Sequence, residues 1–232
     1  MLAAGNGDRF RNGTRQSKLL QPLAGQPLIL RTLETARDAG ITSFEVVLGY
    51  QADAVRAAIE HGAPRNVLIH FSINPQWHLE NGVSVLAARD RMKGRFALLM
   101  GDHLFEAGIL SHLLRMPVGD DESLLAVDVR ATSSAIAAEA TKVRMTGSRI
   151  TAIGKDLTTY DGLDTGLFVC APSVFDALEV SCASGDTTLS GGIRELAARG
   201  LMRGVDIGDA SWHDIDTMAD LEAAASLLAE HA

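Results

Sequence analysis

Four residues near the start of the chain, Gly5, Gly7, Arg9 and Lys18, are of types that together can hold an anion. Glycine lets the backbone approach a ligand closely, and successive N–H groups in such a loop can point into one concavity. An arginine and a lysine beside that concavity suit a polyphosphate, because one supplies a forked donor and the other a compact charge. An ordinary strand-to-loop turn with solvated cations is the plainer reading, and the combination of all four residues favours the phosphate loop. The stretch is not a dinucleotide fingerprint, since no third glycine falls at the required spacing, and no G-K-[ST] closes it as a P-loop.

Carboxylates are the second resource. Asp102 follows the apolar run Phe96–Met100, and a carboxylate at the end of a buried strand can hold a hard cation; a turn or cap aspartate is the alternative. Asp214 and Asp216 alternate with Ile215, so in an extended stretch both point to one side. Two oxygens from there and one from Asp102 make a Mg²⁺ site, with waters and phosphate oxygens completing six ligands. The competing reading is that Asp216 or Thr217 caps the last helix. His103 and His213 read as packing or exposed residues. Lys142, Lys155 and the polar Asp164-Thr165-Gly166 sit at expected strand boundaries. There they can meet the phosphate and hydroxyls of a second substrate, although a plain surface lysine is the commoner case.

These residues need a frame that brings residues 5, 102 and 214 together. The apolar pattern predicts a helix over 27–39, a strand over 43–48, a helix over 53–60, a strand over 67–71, a helix over 82–91 and a strand over 96–100. Strands alternating with helices point to α/β, a doubly wound, mostly parallel sheet. Ligands in such sheets sit beyond the C-terminal ends of strands, where both the glycine loop and Gly101-Asp102 fall. Beyond Asp102 the pattern predicts a strand over 124–129 and a hairpin around Thr146-Gly147-Ser148. A strand over 166–170 and a helix starting at 172–178 follow. Next come a helix over 188–199, a strand over 201–207 and a terminal helix over 218–230. This half reads as a small antiparallel extension closing over the first. No linker or repeat interrupts the chain, so one domain, 1–232, is expected, with a half over 1–103 that carries the glycine loop and a half over 104–232 that carries Lys142, Lys155 and Asp164.

Composition narrows the partners. In 232 residues, 47% are apolar and the formal charge is −8, which fits a globular protein and argues against nucleic acid. An anionic ligand must then be held by a few placed cations and a metal. The two cysteines, Cys170 and Cys182, form no disulfide framework. No signal peptide or membrane-length apolar run is visible, so a cytoplasmic location is expected.

The pattern L-A-A-G-x-G-x-R, with a lysine downstream before an apolar pair, resembles the signature of nucleotidyltransferases that activate sugar phosphates and related esters. The wider set is G-D-H at 101–103, A-T-K at 140–142, G-K-D-L at 154–157, D-T-G at 164–166 and W-x-D-x-D-T at 212–217. Together these motifs resemble the CTP:inositol-1-phosphate cytidylyltransferases over nearly the whole chain. Ser17 departs from the pattern, standing where relatives often carry proline. The resemblance implies a Rossmann-like nucleotidyltransferase fold and transfer of CMP from CTP to inositol 1-phosphate, with Mg²⁺ as cofactor. It also implies that the product feeds a membrane enzyme making inositol phosphodiesters; a homodimer is an assembly left open. Leu2, Ala3, Ala4, Gly5, Gly7, Asn81, Gly82, Ser84 and Asp102 would then contact the nucleotide. Arg9, Lys18 and Lys155 would be catalytic, and Lys142, Lys155, Asp164 and Thr165 would meet the acceptor. Asp102, Asp214 and Asp216 would hold the metal. Rival acceptors are phosphocholine, an aminoalkylphosphonate or a sugar 1-phosphate. A non-catalytic nucleotide-binding regulator is the rival from another class.

Overall fold

The structure is a computed structural model that describes residues 1–7, 10, 16–131 and 135–230. Arg9, the expected phosphate ligand, lies outside the described residues. The first half carries β1 (Leu2–Ala3), β2 (Pro22–Leu23), β3 (Gln26–Pro27), α1 (Leu28–Asp38), β4 (Ser43–Leu48), α2 (Ala52–Gly62), β5 (Leu68–Ile73), α3 (Asn81–Leu86) and β6 (Phe96–Leu99). Next come β7 (His103–Phe105), α4 (Ala107–Arg115), β8 (Ser123–Asp128), β9 (Lys142–Thr146), β10 (Arg149–Gly154) and β11 (Gly162–Cys170). The chain continues through α5 (Ser173–Ala183), α6 (Leu189–Ala198), β12 (Met202–Asp206), β13 (Trp212–Asp214) and α7 (Met218–Glu230).

Strands β1, β4 and β5 pair in parallel, in the order β1-β4-β5. A parallel bridge from Leu2 to Met100 joins them to a second run, β6-β11-β8-β12-β10-β9. Strand β11 is antiparallel to both β6 and β8, and β12 is parallel to β8. Six strands (β5, β4, β1, β6, β8 and β12) therefore run one way, and their C-terminal ends share one edge. The β9–β10 hairpin supplies the antiparallel extension.

Both faces of this sheet are covered, which is why β8 is buried at all six positions and reads as an unbroken apolar run. One layer packs Ile29 and Leu33 of α1, Val55 and Ile59 of α2, and Leu110 and Leu113 of α4. The opposite layer packs Val85 of α3, Phe175 and Leu178 of α5, and Ile193 and Leu196 of α6. A third, smaller cluster seats Leu221 and Ala224 of α7 on Leu23 and Leu28, with Ile215 between them. Helix α6 starts at Thr188, whose hydroxyl accepts the Gly191 N–H. Among the described residues, no helix is long and apolar enough to cross a membrane.

Several elements differ from the pattern. The helix expected over 82–91 splits into α3 and a single 3₁₀ turn at Arg89–Arg91. Strand β11 begins at Gly162, so Asp164-Thr165-Gly166 lies inside a strand rather than at its boundary. The register with β8 shifts between Asp164 and Phe168, and Gly166 takes φ +74 there, a bulge that re-aims the side chains around it. The pattern names no helix for α4, although its buried Ile109, Leu110 and Leu113 follow helical spacing, and β7 and β13, three residues each, are too short to show alternation.

Candidate active site

Strand β1 ends at the sheet edge and opens into the glycine loop. A Cβ on Gly5 would meet nothing within 4 Å, so its backbone faces open space. Gly7 adopts φ +61 and lies against Lys18, whose Cβ would be 3.1 Å from a Cβ placed there. The loop, Lys18, Asp102 and Asp216 line one cavity of about 310 Å³, together with Asn6. Leu2, Ala3 and Ala4 are buried; the first two form the cavity's inner wall, while the Ala4 carbonyl accepts the Tyr50 N–H. The Ser17 N–H donates to Gln51 Oε1 at 2.8 Å, a bond that proline at this position would forfeit.

Asp102 reaches the cavity because β6 lies directly beside β1. The Gly101 N–H donates to the Leu2 carbonyl at 2.8 Å, and a Cβ on Gly101 would stand 2.8 Å from that same oxygen. Across the edge, β7 and β13 pair antiparallel with His103 opposite Asp214. The Ile215 N–H then donates to the Asp102 carbonyl. Thr217 and Asp220 cap α7 reciprocally: the Thr217 N–H and hydroxyl donate to Asp220 Oδ2, and the Asp220 N–H returns to the Thr217 hydroxyl. That cap leaves the Asp216 carboxylate for the cavity.

The result is a set of charges drawn from both ends of the chain. Lys18 Nζ, only 8% exposed, lies 2.8 Å from Asp102 Oδ2 and 2.9 Å from Asp216 Oδ1. His103 Nδ1 lies 3.0 Å from Asp102 Oδ1 and 3.6 Å from Asp214 Oδ1. Burial alone would lower the Lys18 pKa, but Asp102 and Asp216 outweigh it and hold the amine well above the ordinary lysine range. Burial likewise opposes the charge on Asp102, yet Lys18 and then His103 hold its carboxyl far below the usual range. The same contest raises His103 to about 9, with Asp214 and Asp102 outweighing burial, so the ring is an imidazolium at neutral pH. Asp214 goes the other way: burial of its carboxyl raises it, His103 opposes, and the Asp102 and Asp216 charges add, leaving it at about 6.

Hard carboxylate oxygens gathered around one pocket fit a divalent ion. Ligand atoms of Asp102, His103 and Asp214 lie within 4.8 Å of one another, and Lys18 occupies the gap between Asp102 and Asp216. His103 enters this site as a charged bridge between two carboxylates, which corrects its reading as a packing residue. Only the direct approach of Gly101-Asp102-His103 to the W-x-D-x-D-T stretch reveals that role.

The acceptor-side residues divide. Asp164 accepts the Gly166 N–H at 2.8 Å, and burial pushes its carboxyl up to about 6. The Lys142 ammonium donates to the Lys155 carbonyl at 2.6 Å and lies 5.7 Å from the Tyr160 ring centre, so it braces the turn that carries the exposed Lys155. Thr165 is a correction: it is fully buried and its hydroxyl donates to the Ala126 carbonyl, so it cannot face an acceptor. Two expected base contacts are also redirected. The Gly82 N–H donates to the Thr187 carbonyl, and the buried Ser84 hydroxyl accepts from Asn74 Nδ2 at 2.9 Å. A Cβ on Gly82 would stand 2.6 Å from the Thr187 oxygen, so this glycine serves the close seating of α3 on the approach to α6. Asn81 Oδ1 accepts the Leu189 N–H in the same contact, while the residue itself stays exposed.

Comparisons with known proteins agree with this geometry. The chain is 36% identical to the bifunctional IPC transferase and DIPP synthase of Rubrobacter xylanophilus over 225 residues, 95% of this chain and 49% of that protein. It is 34% identical to the protein of the same name from Aquifex aeolicus, over 100% of this chain and 52% of that one. The chain thus spans about half the length of the curated relatives it matches. Among solved structures it resembles the inositol-1-phosphate CTP transferase from T. maritima, with a TM-score of 0.83 and 25% identity, covering 99% of this chain and 93% of that one. Residues 1–162 match the model of the MobA-like NTP transferase domain, and with the doubly wound sheet and the glycine loop in place, the chain belongs to that family.

Proposed function

We propose that this chain transfers CMP from CTP to inositol 1-phosphate, giving CDP-inositol and pyrophosphate. The carrying observation is the single cavity in which Lys18, Asp102 and Asp216 converge below the Gly5–Gly7 loop. The choice of acceptor and nucleotide is supported by the likeness to the transferase from T. maritima. An oxygen of the acceptor's phosphate attacks the α-phosphorus of CTP. The bond from that phosphorus to the bridging oxygen breaks, and pyrophosphate leaves with the electron pair. A phosphate monoester is already a nucleophile near neutral pH, so the protein's part is positioning and charge stabilisation.

Within that reading, the amides of Gly5 and Gly7 with Arg9 cradle the β- and γ-phosphates. Lys18 neutralises charge growing on the α-phosphate. Asp102, Asp214 and Asp216 would hold Mg²⁺, which when bound polarises phosphoryl oxygens. Lys155 meets the acceptor phosphate from a turn that Lys142 braces, and Asp164 accepts from the acceptor's hydroxyls. Residues 1–103 thus serve the nucleotide and 104–232 the acceptor, except for the two aspartates that β13 and the turn after it return to the first half.

The test is pyrophosphate release with each of the four nucleotides, Mg²⁺ and a panel of phosphate esters. Inositol 1-phosphate with CTP is expected to be fastest by at least about tenfold, the size of one lost polar contact. Release with phosphocholine or an aminoalkylphosphonate alone would transfer the assignment to that acceptor. CTP binding with no release across the panel would make the chain a regulator.

A further inference from the structure

His103 is gripped from two sides by residues outside the reacting groups. On one side stands β11: a Cβ on Gly166 would lie 2.6 Å from His103 Cδ2 and Nε2, so only glycine lets the ring sit there. On another, the indole of Trp212 stacks in offset fashion, with centroids 6.2 Å apart and planes at 26°. Trp212 is itself tied to the main sheet, because its Nε1–H donates to Asp128 Oδ2 at 3.0 Å. Asp128 ends β8, is 7% exposed, and its other oxygen accepts the N–H groups of Arg130 and Ala131. The carboxylate is therefore fixed before it receives the indole.

Resting on the metal-site reading above, we propose that Trp212 and Asp128 are positioning residues for the Asp102–Asp214 pair, acting through the imidazole of His103. The ring's Nδ1 is the only described side-chain atom shown in contact with both carboxylates, at 3.0 and 3.6 Å. Its placement sets the distance between them. The small β7–β13 ladder that carries these residues has three paired positions and, among the described residues, no strand beyond them. Such a short ladder is a weak scaffold by itself. The Trp212–Asp128 bond references it to a strand buried on both faces. Two carboxylates held at one separation bind a cation better than two free to spread, because less of the ordering is left to the moment of binding. Neither Trp212 nor Asp128 touches a reacting atom in this scheme.

Trp212→Phe is the discriminating variant, since it keeps a six-membered aromatic ring beside His103 and removes the donor together with the smaller ring that carries it. Asp128→Asn is its partner, keeping one carbonyl acceptor at the same place. Mn²⁺ binding to the nucleotide-free chain, read by electron paramagnetic resonance, is expected to weaken about tenfold in Trp212→Phe and less in Asp128→Asn. The metal concentration giving half-maximal turnover should rise in parallel. At saturating Mn²⁺, kcat and the KM for CTP should return to within about twofold of the parent, a rescue that general destabilisation would not show. Parent-like Mn²⁺ affinity in a folded Trp212→Phe protein would overturn the proposal. If the parent itself binds no Mn²⁺, the metal-site reading fails; a crystal structure of Trp212→Phe then still decides the positioning role. There, an unchanged His103 ring and Asp102–Asp214 spacing would refute it, and a displaced ring would support it.

Discussion

On the proposed metal reading, Lys18 sits between two of the carboxylates that would hold the ion. Its ammonium is within hydrogen-bond distance of Asp102 and Asp216, so in the ligand-free chain it neutralises carboxylates that otherwise repel one another. Replacing it with methionine has two opposed consequences. Turnover should fall on the order of a hundredfold or more, the usual cost of removing a charge-stabilising group from phosphoryl transfer. Mn²⁺ affinity without nucleotide should rise, because the competing cation is gone; a fall in that affinity would show that Lys18 is not a rival for the site. Asp164 gives a pH test. Its carboxyl is raised to about 6 in the folded chain from an ordinary value of 3.8. Its contribution to stability is therefore fully present below the unfolded value and lost as pH rises through about 6. Asp164→Asn keeps the acceptor for the Gly166 N–H and removes that loss. Its melting temperature should exceed the parent's at pH 8 and match it near pH 4, while KM for the acceptor rises about tenfold or more. Equal melting differences at both pH values would remove burial of charge as the cause.

At the scale of elements, the last helix is held by its cap and by a small apolar cluster rather than by a sheet. Thr217→Ala removes the two bonds that the Thr217 hydroxyl makes with Asp220 and keeps the backbone one, and it should cost about 1 kcal/mol in denaturant unfolding. Turnover at saturating metal should stay near that of the parent, because Asp216 itself is untouched. The elements also explain which parts could be read from the sequence. Helix α1 and strands β4, β6 and β8 are long enough to show their period, and the glycine loop announces itself by residue type. Strands β7 and β13 have three residues each, too few for alternation to stand out, so the pairing that carries Asp214 to Asp102 could not be read from the pattern. Thr165 misled because a polar residue beside an aspartate looks like a ligand; inside a strand buried on both faces, its hydroxyl answers a backbone carbonyl instead. At Gly82 the structure shows what the sequence did not, a close approach to the Thr187 carbonyl that a side chain would block.

Taken whole, the molecule buries one thiol at the centre of its main sheet. Cys170 is fully buried on β11, and burial pushes its pKa up to about 12. Cys182 lies half-exposed on α5. A thiol reagent should therefore modify Cys182 within minutes and reach Cys170 only through global opening, with a denaturant dependence matching the equilibrium unfolding slope. Rapid labelling of both would mean that the sheet opens locally. The contact between Lys18 and Asp216 spans 198 positions. A nascent chain leaving the ribosome can assemble the first three parallel strands long before residue 216 has been synthesised. Until then, the lysine lacks one of its two carboxylates and the phosphate loop faces no second wall. On the proposed reading, the site is therefore completed only once the chain has been made through residue 216.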